Sequence, residues 1–188
     1  MSRPRRRSST QAATADVLVG AGDFGTRGEG AAEVLVVLAT CGKPVVVVHG
    51  NHDDPVEFAA ACGASTTLRY LHGDAATLEG VAFFGLGGEI PARNAFPWNA
   101  AETEEDAAQL LEGCPVGGVL VTHTPPQGLA DRQRDGAREG SVSIRRCVET
   151  AAPRLALCGH IHAAWGMRAE CGPTLVANLG PTANGFEV

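Results

Sequence analysis

The sequence predicts an α/β fold, and three observations support that prediction. Four short runs, DVLVGA, VVVV, GVLV and LALC, have the composition of buried parallel strands. The segments between them include several with helical composition. A side chain that can bind metal follows each run closely, namely Asp23, Asn51, His123 and His160. Because ligands gather beyond the carboxyl ends of strands in open α/β sheets, we expect these four side chains at one edge of a sheet.

The first half of the chain alternates predicted strands and helices. The strand that ends at Asp23 precedes a Gly-rich loop and a helix across residues 30–41. VVVV is the next strand, and Pro55 opens a short helix, since proline is tolerated at a first helical position. Residues 67–88 alternate short β-like runs with turns, which predicts an antiparallel meander.

The second half predicts two helices, two buried strands and a short β-rich end. Residues 101–113 form a helix with acidic residues near its start, and GVLVTH is a strand. Residues 124–140 form a long loop, and loops of such length are often functional. A helix over residues 141–152 leads to the strand LALCG, and two or three short strands end the chain.

One domain is expected over residues 15–188, preceded by a tail. Residues 1–14 are rich in Arg, Ser and Thr and contain no acid, which predicts disorder. Such a tail resembles an organellar transit peptide but lacks the apolar residues of an amphipathic face. A misassigned start or a plain solvated tail therefore fits it better.

Charge and hydropathy exclude several classes of partner. The formal charge is −6, and without the four tail arginines the body has 11 basic against 21 acidic residues, or −10. So acidic a body repels polyanions, which disfavours a nucleic-acid partner and a nuclease activity. No apolar run approaches the length of a membrane span, so no membrane partner is expected.

The cysteines indicate the redox compartment. Six are present and none forms C-x-x-C, which favours free thiols that act as small buried hydrophobes. A reducing, cytoplasmic location follows as an expectation.

Four motifs carry a resemblance to a known family. They are Gly22-Asp23, GNHD at residues 50–53, Thr122-His123, and GHIH at residues 159–162. GD alone carries no weight, but GNHD with a later GHxH is highly specific. The chain resembles the calcineurin-like metallophosphoesterases across residues 16–186, and most of all their small single-domain prokaryotic members. The resemblance implies a two-sheet β-sandwich flanked by helices.

One motif of that family is not found in this sequence. The family opens with a strand that ends in D-x-H, whereas the residues before Asp23 contain no histidine, and their one acid is Asp16. The first strand of the fold is therefore expected to be missing. Either the true start lies upstream of Met1, or the chain has lost one strand and two metal ligands.

The resemblance assigns roles to the metal-binding side chains. It implies that Asp23 bridges two metals, that Asn51, His123 and His160 complete one site, and that His162 belongs to the other site with D-x-H. This nitrogen and oxygen set suits Mn, Fe, Zn, Co or Ni better than Mg or Ca. The family binds two such ions, and we expect one here.

Three residues are candidates for the catalytic group. The resemblance implies that His52 contacts the phosphoryl group or protonates the leaving oxygen. Asp53 either holds the His52 imidazolium or caps the next turn. Arg27 either reaches a phosphate oxygen with its guanidinium or is a solvated surface residue. His49 and His72 are interpreted as structural.

These assignments predict an enzyme. The expected reaction is hydrolysis of a small phosphomonoester or phosphodiester by a metal-activated hydroxide, weakened by loss of the first motif. The alternative is an inactive module of the same fold that binds or scaffolds. The absent D-x-H favours the module, and the intact GNHD and GHIH favour the enzyme. The substrate, the metal and the oligomeric state stay open.

Overall fold

The computed structural model describes residues 14–188, and two β-sheets form its centre. The smaller sheet contains β1 (Leu18–Ala21), β2 (Val45–Val48) and β3 (Leu68–Tyr70), all parallel, in that order. The larger sheet has the order β4-β5-β6-β7-β9-β8. Its strands are β4 (Asp74–Leu78), β5 (Val81–Leu86), β6 (Val119–Thr122), β7 (Leu155–Cys158), β8 (Arg168–Cys171) and β9 (Thr174–Asn178).

Between residues 18 and 188, four helices cover the outer faces of the two sheets. They are α1 (Ala31–Ala39), α2 (Pro55–Gly63), α3 (Glu104–Leu110) and α4 (Val142–Ala151). Short 3-10 turns follow at Leu111–Gly113 and His162–Ala164. Leu35 of α1 and Phe58 of α2 pack on the smaller sheet, and Ile144 and Val148 of α4 pack on the larger one.

A third apolar layer lies between the sheets. Val46 and Val48 of β2 pack with Val121 of β6 and Leu157 of β7, and all four are buried. Each inner strand therefore buries both of its faces, which explains why its sequence is a continuous apolar run. The predicted two-sheet sandwich flanked by helices is confirmed.

The predicted meander over residues 67–88 is wrong in part. β4 and β5 do form an antiparallel hairpin, which turns at Glu79 and Gly80, both with positive φ. β3 instead joins the smaller sheet and pairs in parallel with β2. The cause is Leu68, which is buried with Phe58 under α2. An alternating pattern shows that a strand has one buried face, but it does not show which sheet buries that face.

The other predicted elements lie where expected, with shifted ends. Helix α2 begins at Pro55, and the Asp54 side chain caps it by accepting from the N–H groups of Val56 and Glu57. The helix predicted over residues 101–113 is shorter, because Thr103 caps α3 from outside and a 3-10 turn follows it. Residues 124–140 contain no strand or helix. All six cysteines are free.

The predicted tail falls outside the described residues, apart from Thr14. Within the described chain, each helix is too short or too polar to cross a lipid bilayer.

Candidate metal-binding site

The four predicted ligands follow strands that end together. Ala21 of β1 pairs with Val48 of β2, so Asp23 and Asn51 leave the smaller sheet side by side. β6 and β7 are parallel neighbours in the larger sheet, so His123 and His160 leave that sheet at the same edge. The main chain joins the last two segments, since the Gly159 N–H donates to the His123 carbonyl at 2.9 Å. The site therefore spans the mouth of the sandwich and takes residues from both sheets.

The His123 side chain is held in one tautomer. Its Nδ1 lies 2.8 Å from the carbonyl oxygen of Ala21, an atom that can only accept. Nδ1 therefore carries the ring proton, and Nε2 of the neutral ring presents a lone pair. Metal-binding histidines are oriented in this way, by donation from the other ring nitrogen to a carbonyl or carboxylate.

Two further acceptor atoms face that lone pair. The Asn51 Oδ1 atom lies 3.1 Å from His123 Nε2, and the Asp23 Oδ1 atom lies 3.5 Å from it. The amide nitrogen of Asn51 points elsewhere, because it donates to Asn99 at 2.9 Å. Two oxygen atoms thus face the Nε2 lone pair of the neutral ring with no proton between them, an arrangement that a cation stabilises.

The spacing of these atoms fits a transition metal. Ligand atoms bound ~2.1 Å from one ion, in octahedral or tetrahedral geometry, lie roughly 3.0–3.4 Å apart. The observed separation of 3.1 Å lies within that range, and the separation of 3.5 Å lies just above it. The donor types also agree, since one carboxylate, one amide oxygen and imidazole suit such ions. The residues present therefore fit a divalent transition metal.

His160 stands at the edge of this cluster. The centres of the His160 and His123 rings are 4.9 Å apart, and His160 Nε2 lies 3.8 Å from Glu89 Oε1. Burial, and then electrostatic interaction with His123 and Arg93, lowers the pKa of His160 to about 2. The ring therefore stays neutral at physiological pH, as a metal ligand must.

The cluster contains few ionisable groups. Across residues 14–188, no set of three or more His, Cys, Asp and Glu side chains lies close enough to hold an ion. The convergent trio includes the carboxamide of Asn51, which is not an ionisable group, and His160 lies farther out. The ring of His162 packs on Trp165 with 4.4 Å between centres, and its role as a ligand stays a prediction.

Asp23 and His160 reach their positions through unusual backbone geometry. Both adopt positive φ, 57° and 63°, in the left-handed region that residues other than glycine rarely occupy. Such conformations cost on the order of 1 kcal/mol each and cluster at functional sites. Gly50 permits the close approach of the two loops, because a Cβ there would overlap the Asp23 backbone nitrogen and carboxylate.

His52 is held beside the cluster by three contacts. Its Nδ1 accepts the Arg27 backbone N–H at 3.2 Å, so the neutral ring carries its proton on Nε2. Trp98 stacks on the ring with 4.5 Å between centres and 27° between planes. The His52 backbone N–H donates to Asp23 Oδ1 at 3.0 Å, which ties this residue directly to a predicted ligand.

Asp53 does not hold the His52 ring, contrary to the first of its two predicted roles. Its carboxylate is fully buried and accepts the backbone N–H groups of Gly25 at 2.6 Å and Gly50 at 2.7 Å. It ties the loop that carries Asp23 to the loop that carries Asn51. The capping of the next helix falls instead to Asp54. Asp53 is therefore a positioning residue.

The remaining predicted residues lie around this centre. Arg27 is exposed and contacts His52 through its backbone, so a phosphate contact of its guanidinium stays a prediction. His49 is buried, its Nδ1 lies 2.8 Å from the Tyr70 hydroxyl, and burial together with nearby histidines lowers its pKa to about 3. His72 accepts the Gly87 N–H, as its structural interpretation expects.

Sequence reasoning missed three residues of the site: Glu89, Asn99 and Trp98. Glu89 was detectable, because the run VAFFGLGGE also ends an apolar strand on a metal-binding side chain. The interpretation of residues 67–88 as an antiparallel meander drew attention away from the residue that follows this strand. Asn99 and Trp98 lie in a segment without periodicity, and no pattern in the sequence points to them.

Comparison with known proteins identifies the family of the chain. Residues 29–186 match the sequence model of the family described as "Metallophosphoesterase, calcineurin superfamily". The UPF0046 protein K07C11.7 of Caenorhabditis elegans is 29% identical over 183 residues, which are 86% of this chain and 61% of that protein. The UPF0046 protein T07D4.2 of the same organism is 29% identical over 118 residues, 61% of this chain and 29% of that protein.

The chain thus spans 61% or less of the length of these two relatives. Among solved structures, TT1561 of Thermus thermophilus superposes with a TM-score of 0.71 and 19% identity, covering 90% of this chain and 80% of that one. At that identity the similarity shows the fold alone. The match of the family model over most of the chain goes further, and the chain belongs to the calcineurin superfamily of metallophosphoesterases.

Proposed function

We propose that this chain hydrolyses a small phosphomonoester or phosphodiester with a divalent transition metal held by Asp23, Asn51, His123 and His160. One observation carries the proposal. The Asn51 Oδ1 and Asp23 Oδ1 atoms lie 3.1 and 3.5 Å from His123 Nε2, so two oxygen donors face one imidazole nitrogen. Membership of a metallophosphoesterase superfamily supports the same reaction class.

The ligand set suits an anionic substrate. Asp23 is the one carboxylate among the four ligands, so a divalent ion held there keeps a net positive charge that attracts a phosphate group. A bound divalent metal supplies Lewis acidity, which polarises a phosphoryl oxygen and lowers the pKa of a water. His162 is proposed as a ligand of a second ion.

His52 is proposed to donate a hydrogen bond in the reaction. Because its Nδ1 accepts from the Arg27 backbone, the ring proton lies on Nε2, which donates a hydrogen bond to the phosphoryl group or the leaving oxygen as negative charge develops there. The stacked Trp98 ring limits rotation of the imidazole, so the donor is oriented before the substrate arrives. Removal of one preorganised donor of this kind typically costs roughly 10²–10³-fold in rate.

The charge of the body argues for a small substrate. Outside residues 1–14, acidic residues outnumber basic ones, which disfavours nucleic acid. Two basic residues lie near the proposed ligands. Arg27 contacts His52 through its backbone, and Arg93 is close enough to His160 to lower the pKa of that ring. Either guanidinium is a candidate partner for a phosphate oxygen.

The test combines metal content with turnover. The purified chain should hold about one transition-metal ion by elemental analysis, and it should hydrolyse bis(p-nitrophenyl) phosphate. Asp23→Asn removes the charge of the set and should lower both. Asp16→Asn removes the same charge from an exposed position outside the site and should lower neither. Equal metal content in the two variants would overturn the ligand assignment. Metal without turnover of any phosphoester would favour the non-catalytic binding module.

A further inference from the structure

A series of side-chain hydrogen bonds connects a buried carboxylate to the proposed metal site. Glu89 is 5% exposed, and its Oε2 accepts from Asn99 Nδ2 at 2.8 Å. Asn99 Oδ1 in turn accepts from Asn51 Nδ2 at 2.9 Å. The opposite end of the Asn51 carboxamide, Oδ1, is the atom that faces His123. Three side chains therefore lie in series, and the last of them is a proposed ligand.

Glu89 sets the donor and acceptor direction of every hydrogen bond in this series. A carboxamide has a donor end and an acceptor end, and a rotation of its last torsion exchanges them. Asn51 left alone could present either its oxygen or its NH₂ group to a cation, and only the oxygen binds one. An ionised carboxylate can only accept, so Glu89 requires the NH₂ group of Asn99. Asn99 then offers its oxygen and captures the NH₂ group of Asn51.

The backbone holds the same residues in place. The Ala100 N–H donates to the Asn51 carbonyl at 3.0 Å, and the Glu89 N–H donates to the Ala100 carbonyl at 3.0 Å. Asn99 is therefore fixed between the two residues that it connects. A connection built from both main-chain and side-chain bonds is rigid, as the support of a metal site requires.

The other carboxylate oxygen of Glu89 faces a second proposed ligand. Its Oε1 lies 3.8 Å from Nε2 of His160. One buried acid thus lies beside His160 and is linked through Asn99 to Asn51, two proposed ligands that leave different sheets.

We propose that Glu89 and Asn99 are positioning residues of the metal site, which orient the Asn51 oxygen toward the ion. The proposal rests on the proposed function only in taking Asn51 as a ligand. Neither residue belongs to the motifs that identify the family. The proposal assigns a role to the segment between Pro91 and Ala100, which has no regular secondary structure.

The test measures the affinity of the full chain for Mn²⁺ by titration calorimetry. Asn99→Ala should weaken binding roughly 10- to 100-fold, the usual effect of removing a partner that orients a ligand. Asn94→Ala is the matched control, because Asn94 donates to the same Glu89 oxygen at 3.3 Å but has no bond to Asn51. It should bind Mn²⁺ as the wild type does. Equal weakening by the two variants would overturn the proposal.

A double-mutant cycle separates orientation of Asn51 from general damage. With Asn51→Ala as the background, Asn99→Ala should cause no further loss of affinity, since its target is gone. A further loss of the same size would overturn the proposal. Where Asn99→Ala does not fold, Glu89→Gln and Glu89→Ala replace it. Gln keeps an acceptor for Asn99 and should retain more affinity than Ala, and equal affinities would contradict this role.

The outcome does not depend on catalysis. A wild-type chain that binds Mn²⁺ without hydrolysing a phosphoester removes the proposed function, and the difference between Asn99→Ala and Asn94→Ala still decides the role of Asn99. Metal-dependent hydrolysis with an Mn²⁺ affinity unchanged in Asn99→Ala removes this inference alone.

Discussion

Replacement of Asp53 by Asn tests whether this residue holds the site together or takes part in the reaction. The Asp53 carboxylate is fully buried and accepts the backbone N–H groups of Gly25 and Gly50 at 2.6 and 2.7 Å. Asn has the same shape but offers one oxygen and one NH₂ group. One of the two backbone donors would then face another donor.

The size of the effect follows from these two bonds. A hydrogen bond to a charged group contributes roughly 1.5–3 kcal/mol, against about 1 kcal/mol for a neutral one. Asp53→Asn weakens one bond to the neutral value and removes the other, and it leaves a buried N–H unsatisfied. We expect the free energy of unfolding to fall by about 3 kcal/mol. For a domain of this size, that corresponds to a fall in Tm of roughly 6–12 °C.

The assay is urea unfolding of the metal-free chain, with Asp54→Asn as the matched control. Asp54 is the adjacent residue and caps α2 through Val56 and Glu57. Asn caps helices as well as Asp does, so this change should cost less than ~1 kcal/mol. Equal unfolding free energies in the two variants would refute the structural role of Asp53. A variant of unchanged stability and lowered turnover would return Asp53 to the catalytic group.

Three further changes test other parts of the site. His52→Ala should lower turnover of an aryl phosphodiester roughly 10²–10³-fold and leave metal content unchanged, and normal turnover would make His52 a surface residue. Gly50→Ala places a methyl group against Asp23, so calorimetry should show weaker Mn²⁺ binding, whereas wild-type affinity would argue against this close approach. Because the pKa of His49 is lowered in the folded chain, the unfolded chain binds a proton below about pH 6.5 that the folded chain does not bind. The free energy of unfolding should therefore decrease as the pH is lowered below about 6.5, by up to ~1.4 kcal/mol per pH unit. Urea midpoints of the metal-free chain at about pH 7.5 and about pH 5.5 measure this, and His49→Gln should reduce the dependence.

The strands that carry the ligands could be predicted because both of their faces are buried. β2 and β7, the runs VVVV and LALC, have no exposed residue to interrupt the apolar pattern. The carboxyl ends of such strands meet at an edge, so the sequence alone could place Asn51 and His160 near one another.

The membership of β3 in the smaller sheet could not be predicted. It depends on the burial of Leu68 against Phe58, which is ten positions earlier on a different element. The left-handed backbone of Asp23 and His160 could not be predicted either, because Asp and His adopt this conformation more often than most residues but still only occasionally. Both features arise from packing between distant segments, which local periodicity does not record.

The support of the site was harder to predict than its ligands. The partner of Asp53 in the other loop is the backbone N–H of Gly25. Almost every residue has a backbone N–H, so the sequence does not show which one a buried carboxylate accepts from. Asn99 is likewise identified only by where its two bonds lead. Sequence patterns identify side chains that end strands, whereas the groups that orient them become visible only in three dimensions.

The central claim is that Asp23, Asn51, His123 and His160 hold a divalent metal that phosphoester hydrolysis requires. The most direct measurement is the rate of bis(p-nitrophenyl) phosphate hydrolysis by the wild-type chain after chelation and dialysis, and again after addition of Mn²⁺. Chelation should abolish the rate, and Mn²⁺ should restore it in the wild type but not in Asp23→Asn. A rate that survives complete removal of metal, or that returns equally in Asp23→Asn, would contradict the claim.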